Sequence, residues 1–330
     1  MYKAWYFVII LIVCMSCSFS NKDALSTVSS DEDVIPYDDT RPGHWPEPFQ
    51  LVEIESPLDG AVQKAWYYRA KGPEPRPLLV SLHTWSGDYN QKDTLAAMAV
   101  ENNWHYIHPD FRGPNWTPKA CCSEFALEDI DQAIDFAIRQ GGVDAGRIVV
   151  NGVSGGGYAA LAVYMRSRHP IERILSWVPI SDLTAWYEQS VIRKANYAKH
   201  ILQCTESAED KLDVGAARSR SPLYWETPDR DTRLQIFAGV YDGIQGSVPI
   251  THSLNFYNKL VNDLGASSPS DLISDAEKAW LLEHRKPFHT SAMIGDRKVC
   301  LAKEYKTVEL VIFEGNHEML VDVAAQNIFN

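Results

Sequence analysis

The sequence predicts an α/β fold with a mostly parallel sheet, helices on both faces and an inserted cap. Three observations support this prediction. Short apolar runs alternate with amphipathic segments along residues 77–328, as in folds whose helices connect parallel strands. Residues 147–165 have the pattern of a strand, a glycine turn and a helix. Polar residues suited to catalysis follow several predicted strands, at the end of the sheet where such folds bind ligands.

Composition sets the size of the domain and excludes some partners. The chain has 330 residues, 45% of them hydrophobic and 22% charged, so residues 46–330 suffice for one large domain. The net charge of −12 argues against a nucleic acid or an anionic membrane surface as partner. We expect a monomer.

The N-terminus has the pattern of an export signal. Lys3 precedes an apolar run, residues 5–13, that is too short to span a bilayer. We predict a signal peptide over residues 1–17 with lipidation at Cys17, ordinary cleavage nearby being the alternative. Residues 18–45, which begin Ser- and Asp-rich, are predicted to be a flexible tether. The predicted location is the periplasm or the outer-membrane or cell surface, with a membrane contact only through the lipid.

The first half of the domain is predicted to open with an antiparallel hairpin. Its strands, residues 49–56 and 61–69, alternate in polarity and are joined by a Pro-Leu-Asp-Gly turn. The clearest helix is residues 125–139, where apolar residues recur at helical spacing. The other predicted elements of this half are strands at 77–83, 104–108 and 148–150 and helices at 93–102 and 155–165.

The second half continues the alternation around one long interruption. Residues 181–232 are rich in Trp, Tyr and Arg and break the strand–helix pattern, so we predict a helical cap over the edge of the sheet. The predicted elements around it are strands at 173–180, 234–239 and 307–313 and helices at 249–264 and 316–328.

The glycine turn carries one serine, in the sequence Gly-Val-Ser154-Gly-Gly. A G-x-S-x-G pattern between a strand and a helix is typical of a nucleophile turn, although the bare pattern also arises by chance. Such a turn strains the serine backbone and needs small neighbours. The following helix directs its free N–H groups and its positive end at the reaction centre. We therefore predict that Ser154 is a nucleophile.

A serine nucleophile needs a base, and the base needs an orienting acid. In this kind of site the acid and the histidine follow the serine in chain order. Asp242 and His317 each follow a predicted strand and fit these roles, although an Asp-Gly pair such as this one is also common in turns. Asp231 is a poorer acid because it precedes its strand. His284 and His289 follow no predicted strand.

Acyl transfer also needs donors for the oxyanion of the tetrahedral intermediate. The predicted donors are the backbone N–H groups of Gly155 and Trp85, the latter in the loop after the strand at 77–83. His83 is predicted to hold that loop by hydrogen bonds. We predict no cofactor and no metal, since no Cys/His spacing resembles a zinc site.

The motifs in this order resemble α/β-hydrolases of the prolyl-oligopeptidase-like branch. The resemblance covers roughly residues 50–328 and implies an α/β-hydrolase fold with a Ser-His-Asp mechanism. In this chain Thr84 stands where the family usually has glycine. The motifs are HTWSGD at 83–88, PDFRG at 109–113, GVSGGG at 152–157, GVYDGIQGSVP at 239–249 and EGNHEM at 314–319.

The lipoprotein-like leader, the compact size and the HTWSGD loop are similar to those of exported serine carbohydrate esterases of gut-type polysaccharide degraders, including pectin methylesterases. This resemblance implies a serine esterase that acts on an esterified plant polysaccharide or oligosaccharide. Arg112 would clamp a uronate carboxylate. The aromatic residues that would stack on sugar rings are Trp85, Trp116, Trp186 and Tyr187. The alternatives are an ion pair for Arg112 and packing inside the cap for the aromatic residues.

Two other functions remain open from the sequence. One is a prolyl-oligopeptidase-like serine peptidase, and the other is a surface lipoprotein that binds glycan without catalysis. Four cysteines outside the leader allow three complete disulfide pairings, of which we favour a bond between Cys204 and Cys300. The four are Cys121, Cys122, Cys204 and Cys300.

Overall fold

The computed structural model describes residue 40 and residues 42–330. The predicted signal peptide at 1–17, the lipidation at Cys17 and most of the predicted tether lie outside the described residues. No helix in the described part is long and apolar enough to cross a membrane.

One twisted sheet of ten strands carries the described part of the chain. Its spatial order is β1-β2-β4-β3-β5-β6-β7-β10-β9-β8. The strands are β1 (Gln50–Glu55), β2 (Val62–Tyr68), β3 (Arg76–Leu82), β4 (His105–Pro109), β5 (Val143–Val153), β6 (Arg173–Trp177), β7 (Arg233–Gly239), β8 (Met293–Ile294), β9 (Arg297–Tyr305) and β10 (Val308–Phe313).

The middle of the sheet is parallel and its two flanks are antiparallel. Strands β4, β3, β5, β6, β7 and β10 run in one direction. The hairpin β1–β2 and the hairpin β8–β9 extend the two edges by antiparallel pairing. The central strands are almost wholly buried, as expected for parallel strands covered by helices on both faces. The prediction of a mostly parallel α/β sheet is confirmed.

Helices follow most of the parallel strands. They are α1 (Thr94–Glu101), α2 (Glu124–Arg139), α3 (Gly155–Arg166), α4 (Leu183–Ile192), α5 (Tyr197–Cys204), α6 (Val214–Ser219), α7 (Thr251–Asp263), α8 (Asp275–His284) and α9 (Val321–Phe329). Several start at a side-chain cap. For example, Ser123 Oγ accepts the Ala126 N–H at the start of α2, and Asp182 Oδ1 accepts the Thr184 N–H at the start of α4.

Helix α3 packs closest to the sheet. All its residues from Gly155 to Met165 are buried. A Cβ on Gly157 would lie only 2.6 Å from the carbonyl oxygen of Trp177, at the end of β6. The glycine therefore brings the helix against the strand end, and its N-terminus is held at the carboxyl edge of the sheet.

The structure differs from the sequence prediction mainly near the C-terminus. The hairpin β8–β9 and helix α8 were not predicted, because β9 carries charged residues on its exposed face and lacks a clean apolar run. Helix α9 begins at Val321 and not at residue 316. Residues 314–320 instead form a loop that carries His317.

The inserted segment, residues 181–232, contains α4, α5, α6 and a short 3₁₀ helix, Pro222–Tyr224. Its first residue is tied to α7, because Ser181 Oγ donates to the carbonyl oxygen of His252 at 2.9 Å. Ser181 also contacts the 3₁₀ helix, because the Leu223 N–H donates to the Ser181 carbonyl oxygen at 3.1 Å. We call residues 181–232 the cap segment.

Candidate active site

Ser154 lies at the sharp turn between β5 and α3. Its backbone has φ 57° and ψ −114°, in a region that side-chain-bearing residues rarely adopt. Its N–H donates to the carbonyl oxygen of Trp177 at 2.9 Å, and its carbonyl oxygen accepts the first helical bond from Tyr158. Strain of this kind persists only where the surroundings enforce it, and it is concentrated at functional sites.

Two glycines make this turn possible. A Cβ on Gly152 would lie 2.1 Å from the carbonyl oxygen of Gly156, so the strand and the helix could not meet. A Cβ on Gly155 would lie 2.2 Å from the backbone nitrogen of Trp85. The backbones of Gly155 and Trp85 therefore touch beside Ser154, which brings both predicted oxyanion donors to one place.

The loop that carries Trp85 is held from below. His83 places its two ring nitrogens 2.8 Å from the carbonyl oxygens of Thr84 and Asp110. The His83 ring also stacks on Phe111 at a centroid distance of 3.8 Å, and burial lowers its pKa. The Trp85 carbonyl oxygen accepts the N–H of Asn115 at 2.8 Å. His83 thus fixes the loop.

Asp242 and His317 form a hydrogen-bonded pair on neighbouring strands. His317 Nδ1 lies 2.7 Å from Asp242 Oδ2. The other carboxylate oxygen of Asp242 accepts the N–H groups of Gly243 at 2.8 Å and Val248 at 3.0 Å. Asp242 is 1% exposed, so its orientation is set by protein donors and not by water.

The ends of β5, β7 and β10 bring these residues to one edge. After β7, the Val240 N–H donates to the carbonyl oxygen of Phe313, the last residue of β10. Met319, two residues after His317, accepts the side-chain N–H of Asn151 from β5 at 3.6 Å. Asn151 lies three residues before Ser154. Asp231 precedes β7 and lies at the opposite end of the sheet.

The structure contradicts the expected substrate role of Arg112. Its guanidinium donates four hydrogen bonds of 2.7–3.0 Å, two to Asp59 and two to Asp129. Its side chain is 9% exposed, and that of Asp129 is 2% exposed. The hydrogen bond from Arg112 also holds the pKa of Asp59 well below its usual range. A guanidinium used in this way cannot clamp a substrate carboxylate; it anchors the loop after β4 to the hairpin β1–β2.

Trp186 also has a structural position. It is fully buried, its indole N–H donates to the carbonyl oxygen of Ser247 at 3.0 Å, and its ring packs on Trp85 at a centroid distance of 4.7 Å. The expectation that it stacks on a sugar is therefore wrong. Trp116 is half-buried and lies 4.8 Å from the ring of His200. Tyr187 is half-buried and packs on the core.

Sequence reasoning missed a set of hydrogen bonds that hold the loop carrying Asp242. Arg193, just after α4, donates to the carbonyl oxygens of Gly243, Gly246 and Ser247 at 3.4, 3.1 and 2.6 Å. Its charge therefore lies beside the acid loop and stiffens it from the cap segment. No local pattern marks Arg193, because its partners lie fifty or more residues away.

Cysteine positions also correct a sequence prediction. Cys204, at the end of α5, has its sulfur 2.9 Å from that of Cys121. Cys300 is on β9, where its carbonyl oxygen accepts the N–H of Phe288. The favoured bond between Cys204 and Cys300 is therefore wrong. Among the residues that the structure describes, no cluster of His, Cys, Asp and Glu is arranged to hold a metal ion.

Comparison with known proteins finds a matching family profile and a similar curated protein. The sequence profile of the prolyl oligopeptidase family matches residues 120–278. The proline iminopeptidase PfmaB of Pestalotiopsis fici is 26% identical over 283 residues, covering 77% of this chain and 90% of that protein.

Solved peptidase structures share the fold. An acylaminoacyl peptidase of Pyrococcus horikoshii superposes with a TM-score of 0.54 at 20% identity, covering 65% of this chain and 35% of that one. A puromycin-hydrolyzing peptidase of Mycobacterium tuberculosis gives 0.52 at 17% identity, covering 65% and 34%. The chain thus spans about a third of the length of these solved structures.

These comparisons overturn the expected carbohydrate esterase that acts on plant polysaccharide. The matching family profile is that of a peptidase family, and the three relatives described are peptidases by name. The chain is a serine hydrolase with the α/β-hydrolase fold, and its residues 120–278 are similar to the prolyl oligopeptidase family.

Proposed function

We propose that the protein is a serine peptidase that hydrolyses peptide or aminoacyl amide bonds. The observation that carries this proposal is the hydrogen-bonded pair Asp242–His317 at the sheet edge that also holds Ser154. The match to the prolyl oligopeptidase family and the peptidase relatives supports amides as the substrate class.

The chemistry starts with the serine. Ser154 Oγ attacks the carbonyl carbon, and His317 Nε2 accepts the hydroxyl proton. Asp242 keeps the ring in the tautomer with the proton on Nδ1, because its Oδ2 accepts that N–H. It also stabilises the imidazolium that forms. The N–H groups of Gly155 and Trp85 donate to the oxyanion, a contribution worth about 3 kcal/mol for a single donor.

The departure of the leaving group distinguishes an amide substrate from an ester substrate. An amine is a poor leaving group, so His317 must return the proton to the nitrogen as the tetrahedral intermediate collapses. Water, activated by the same histidine, then hydrolyses the acyl-serine. The net charge of −12 favours a cationic substrate such as a peptide with a free α-amino group.

A panel of chromogenic substrates tests the proposal. It comprises free and N-blocked aminoacyl and dipeptidyl 4-nitroanilides and one simple 4-nitrophenyl ester. We expect release of 4-nitroaniline by the wild type and a loss of at least a thousandfold in Ser154→Ala. The matched control is Ser219→Ala, which changes an exposed serine at the end of α6 and should keep full activity.

One outcome would refute the peptidase assignment directly. A fluorophosphonate probe reports whether Ser154 is a reactive nucleophile in the folded protein, independently of any substrate. If the probe labels Ser154 and the ester is cleaved, but every amide in the panel is left intact, the protein is a serine hydrolase of another kind.

We also infer that the protein is exported. The support is the leader at residues 1–17, with its basic start and short apolar run. Cell fractionation with Cys17→Ala tests the lipid anchor. We expect the wild type in the membrane fraction and the variant released from it. A soluble exported wild type would refute the lipid anchor, and a wild type in the cytoplasm would refute export.

A further inference from the structure

Two buried cysteines face each other, Cys204 on the cap segment and Cys121 on the loop after β4. The sulfurs of Cys121 and Cys204 are 2.9 Å apart, and both residues are fully buried. An S–S bond is about 2.0 Å long, so the two atoms need approach by only about 0.9 Å to bond. We propose that Cys121 and Cys204 form a disulfide that locks the cap segment to the loop beneath the active site.

The two ends of this bond lie on either side of Trp85. On one side, the Cys121 N–H donates to Asn115 Oδ1 at 3.0 Å, and the Asn115 N–H donates to the carbonyl oxygen of Trp85 at 2.8 Å. On the other side, Cys204 ends the helix that carries His200, whose Nδ1 accepts the indole N–H of Trp85 at 3.3 Å. A bond between the sulfurs would link covalently the two segments that hydrogen-bond to Trp85.

The neighbouring thiols do not compete for this partner. Cys122 lines a cavity of about 440 Å³ together with Lys119, Arg166 and Arg220. Cys300 belongs to β9, at the other end of the sheet from the loop of Cys121. Only Cys121 is placed against Cys204 among the described cysteines.

The step needs an oxidant, which we name as a disulfide of an oxidising thiol protein or oxidised glutathione. The thiols of Cys121 and Cys204 lose two electrons and two protons and form one S–S bond. The oxidant's disulfide accepts the two electrons and leaves as two thiols. The inferred export supplies such an oxidant in the cell, but the pairing itself is independent of the peptidase function.

The order of events follows from burial. Thiolates, not thiols, carry out exchange, and burial raises the pKa of Cys204 well above its ordinary value. The bond therefore forms while the cap segment is still closing. Once formed, it lies out of reach of reductants in the folded protein.

Peptide mapping tests the pairing. The full-length chain is refolded with oxidised and reduced glutathione, alkylated under denaturing conditions and digested with trypsin without reduction. Cleavage after Lys119 and Lys199 releases residues 120–139 and residues 200–211. We expect these two peptides to be joined in the wild type.

Variants assign the link to one cysteine. Cys122→Ala is the matched control and should keep the linked pair, whereas Cys121→Ala should lose it. A wild type in which Cys121 and Cys204 are both alkylated, or in which Cys204 is linked through Cys122 or Cys300, overturns the proposal. This readout needs no activity, so its failure leaves the peptidase assignment untouched.

Unfolding gives a second, independent readout. Reductant reaches the bond in unfolded molecules, so at equilibrium with reductant the urea midpoint of the wild type should shift to lower concentration, whereas that of Cys121→Ala/Cys204→Ala should not move. An equal shift in both proteins, or no shift in the wild type, contradicts the bond.

Discussion

His252 makes the attachment of the cap segment sensitive to acid. Its Nδ1 accepts the N–H of Ser181 at 3.2 Å, and its Nε2 lies 3.0 Å from the side-chain oxygen of Gln189 on α4. Both bonds are satisfied by a neutral ring with its proton on Nε2. The pKa of His252 is lowered to about 4, mainly by burial. The charge of Arg193 also lowers this pKa, and the charge of Asp182 opposes the shift.

The size of the effect follows from linkage. An unfolded histidine has a pKa of about 6.5. Because the pKa of His252 is depressed in the folded state, the unfolded chain binds more protons between about pH 6.5 and 4, and stability falls as the pH falls through this window. From pH 7 to pH 4.5 the His252 contribution to the free energy of unfolding drops by roughly 2.5 kcal/mol.

Urea unfolding at pH 7 and pH 4.5 measures this drop. His252→Asn keeps an oxygen to accept the Ser181 N–H but does not titrate. Other titrating groups are common to both proteins, so the wild type should lose about 2.5 kcal/mol more than the variant between the two pH values. The exposed His284 gives the control: His284→Asn should lose as much as the wild type. Equal losses in the wild type and His252→Asn would refute the account.

Three other substitutions probe the site and its support. Gly155→Ala places a Cβ 2.2 Å from the Trp85 nitrogen and so displaces both oxyanion donors. This should lower kcat about a hundredfold or more with the KM little changed. An unchanged kcat would show that the two N–H groups do not bind the oxyanion. Asp242→Asn should lower kcat about ten-thousandfold because the triad histidine takes the wrong tautomer, which a pH–rate profile of the nitroanilide reaction can check. Arg112→Ala leaves the carboxylate of Asp129 buried without its cation and should lower the free energy of unfolding in urea by about 3–5 kcal/mol. The KM of the folded variant should equal that of the wild type. A raised KM would instead support a role for Arg112 in substrate binding.

The fold was accessible from sequence because it depends on local patterns. The apolar runs at β3 and β7 and the amphipathic α2 each show their own periodicity. The loop positions of Ser154, Asp242 and His317 followed from the same strand assignments together with chain order. The hairpin β8–β9 escaped prediction because its polar outer face hides the alternation.

The surroundings of the site were much less accessible, because they depend on which distant residues meet. No sequence pattern indicates that Arg112 forms ion pairs with Asp59 and Asp129. Arg193 likewise reaches carbonyl groups far along the chain. The expected carbohydrate substrate rested on a narrow family resemblance with aromatic residues as support. Aromatic residues in a cap have the same sequence pattern whether they pack inward or face a ligand.

The burial of residues 155–165 in α3 limits where this protein can accept substitutions. Every residue from Gly155 to Met165 is buried, so nearly any replacement there opens a cavity or overfills the core. The cap segment, by contrast, exposes many of its side chains. A library aimed at new substrates should therefore diversify residues 181–232 and leave the helix behind the nucleophile untouched. In a deep mutational scan, tolerance should rise sharply from the helix to the cap.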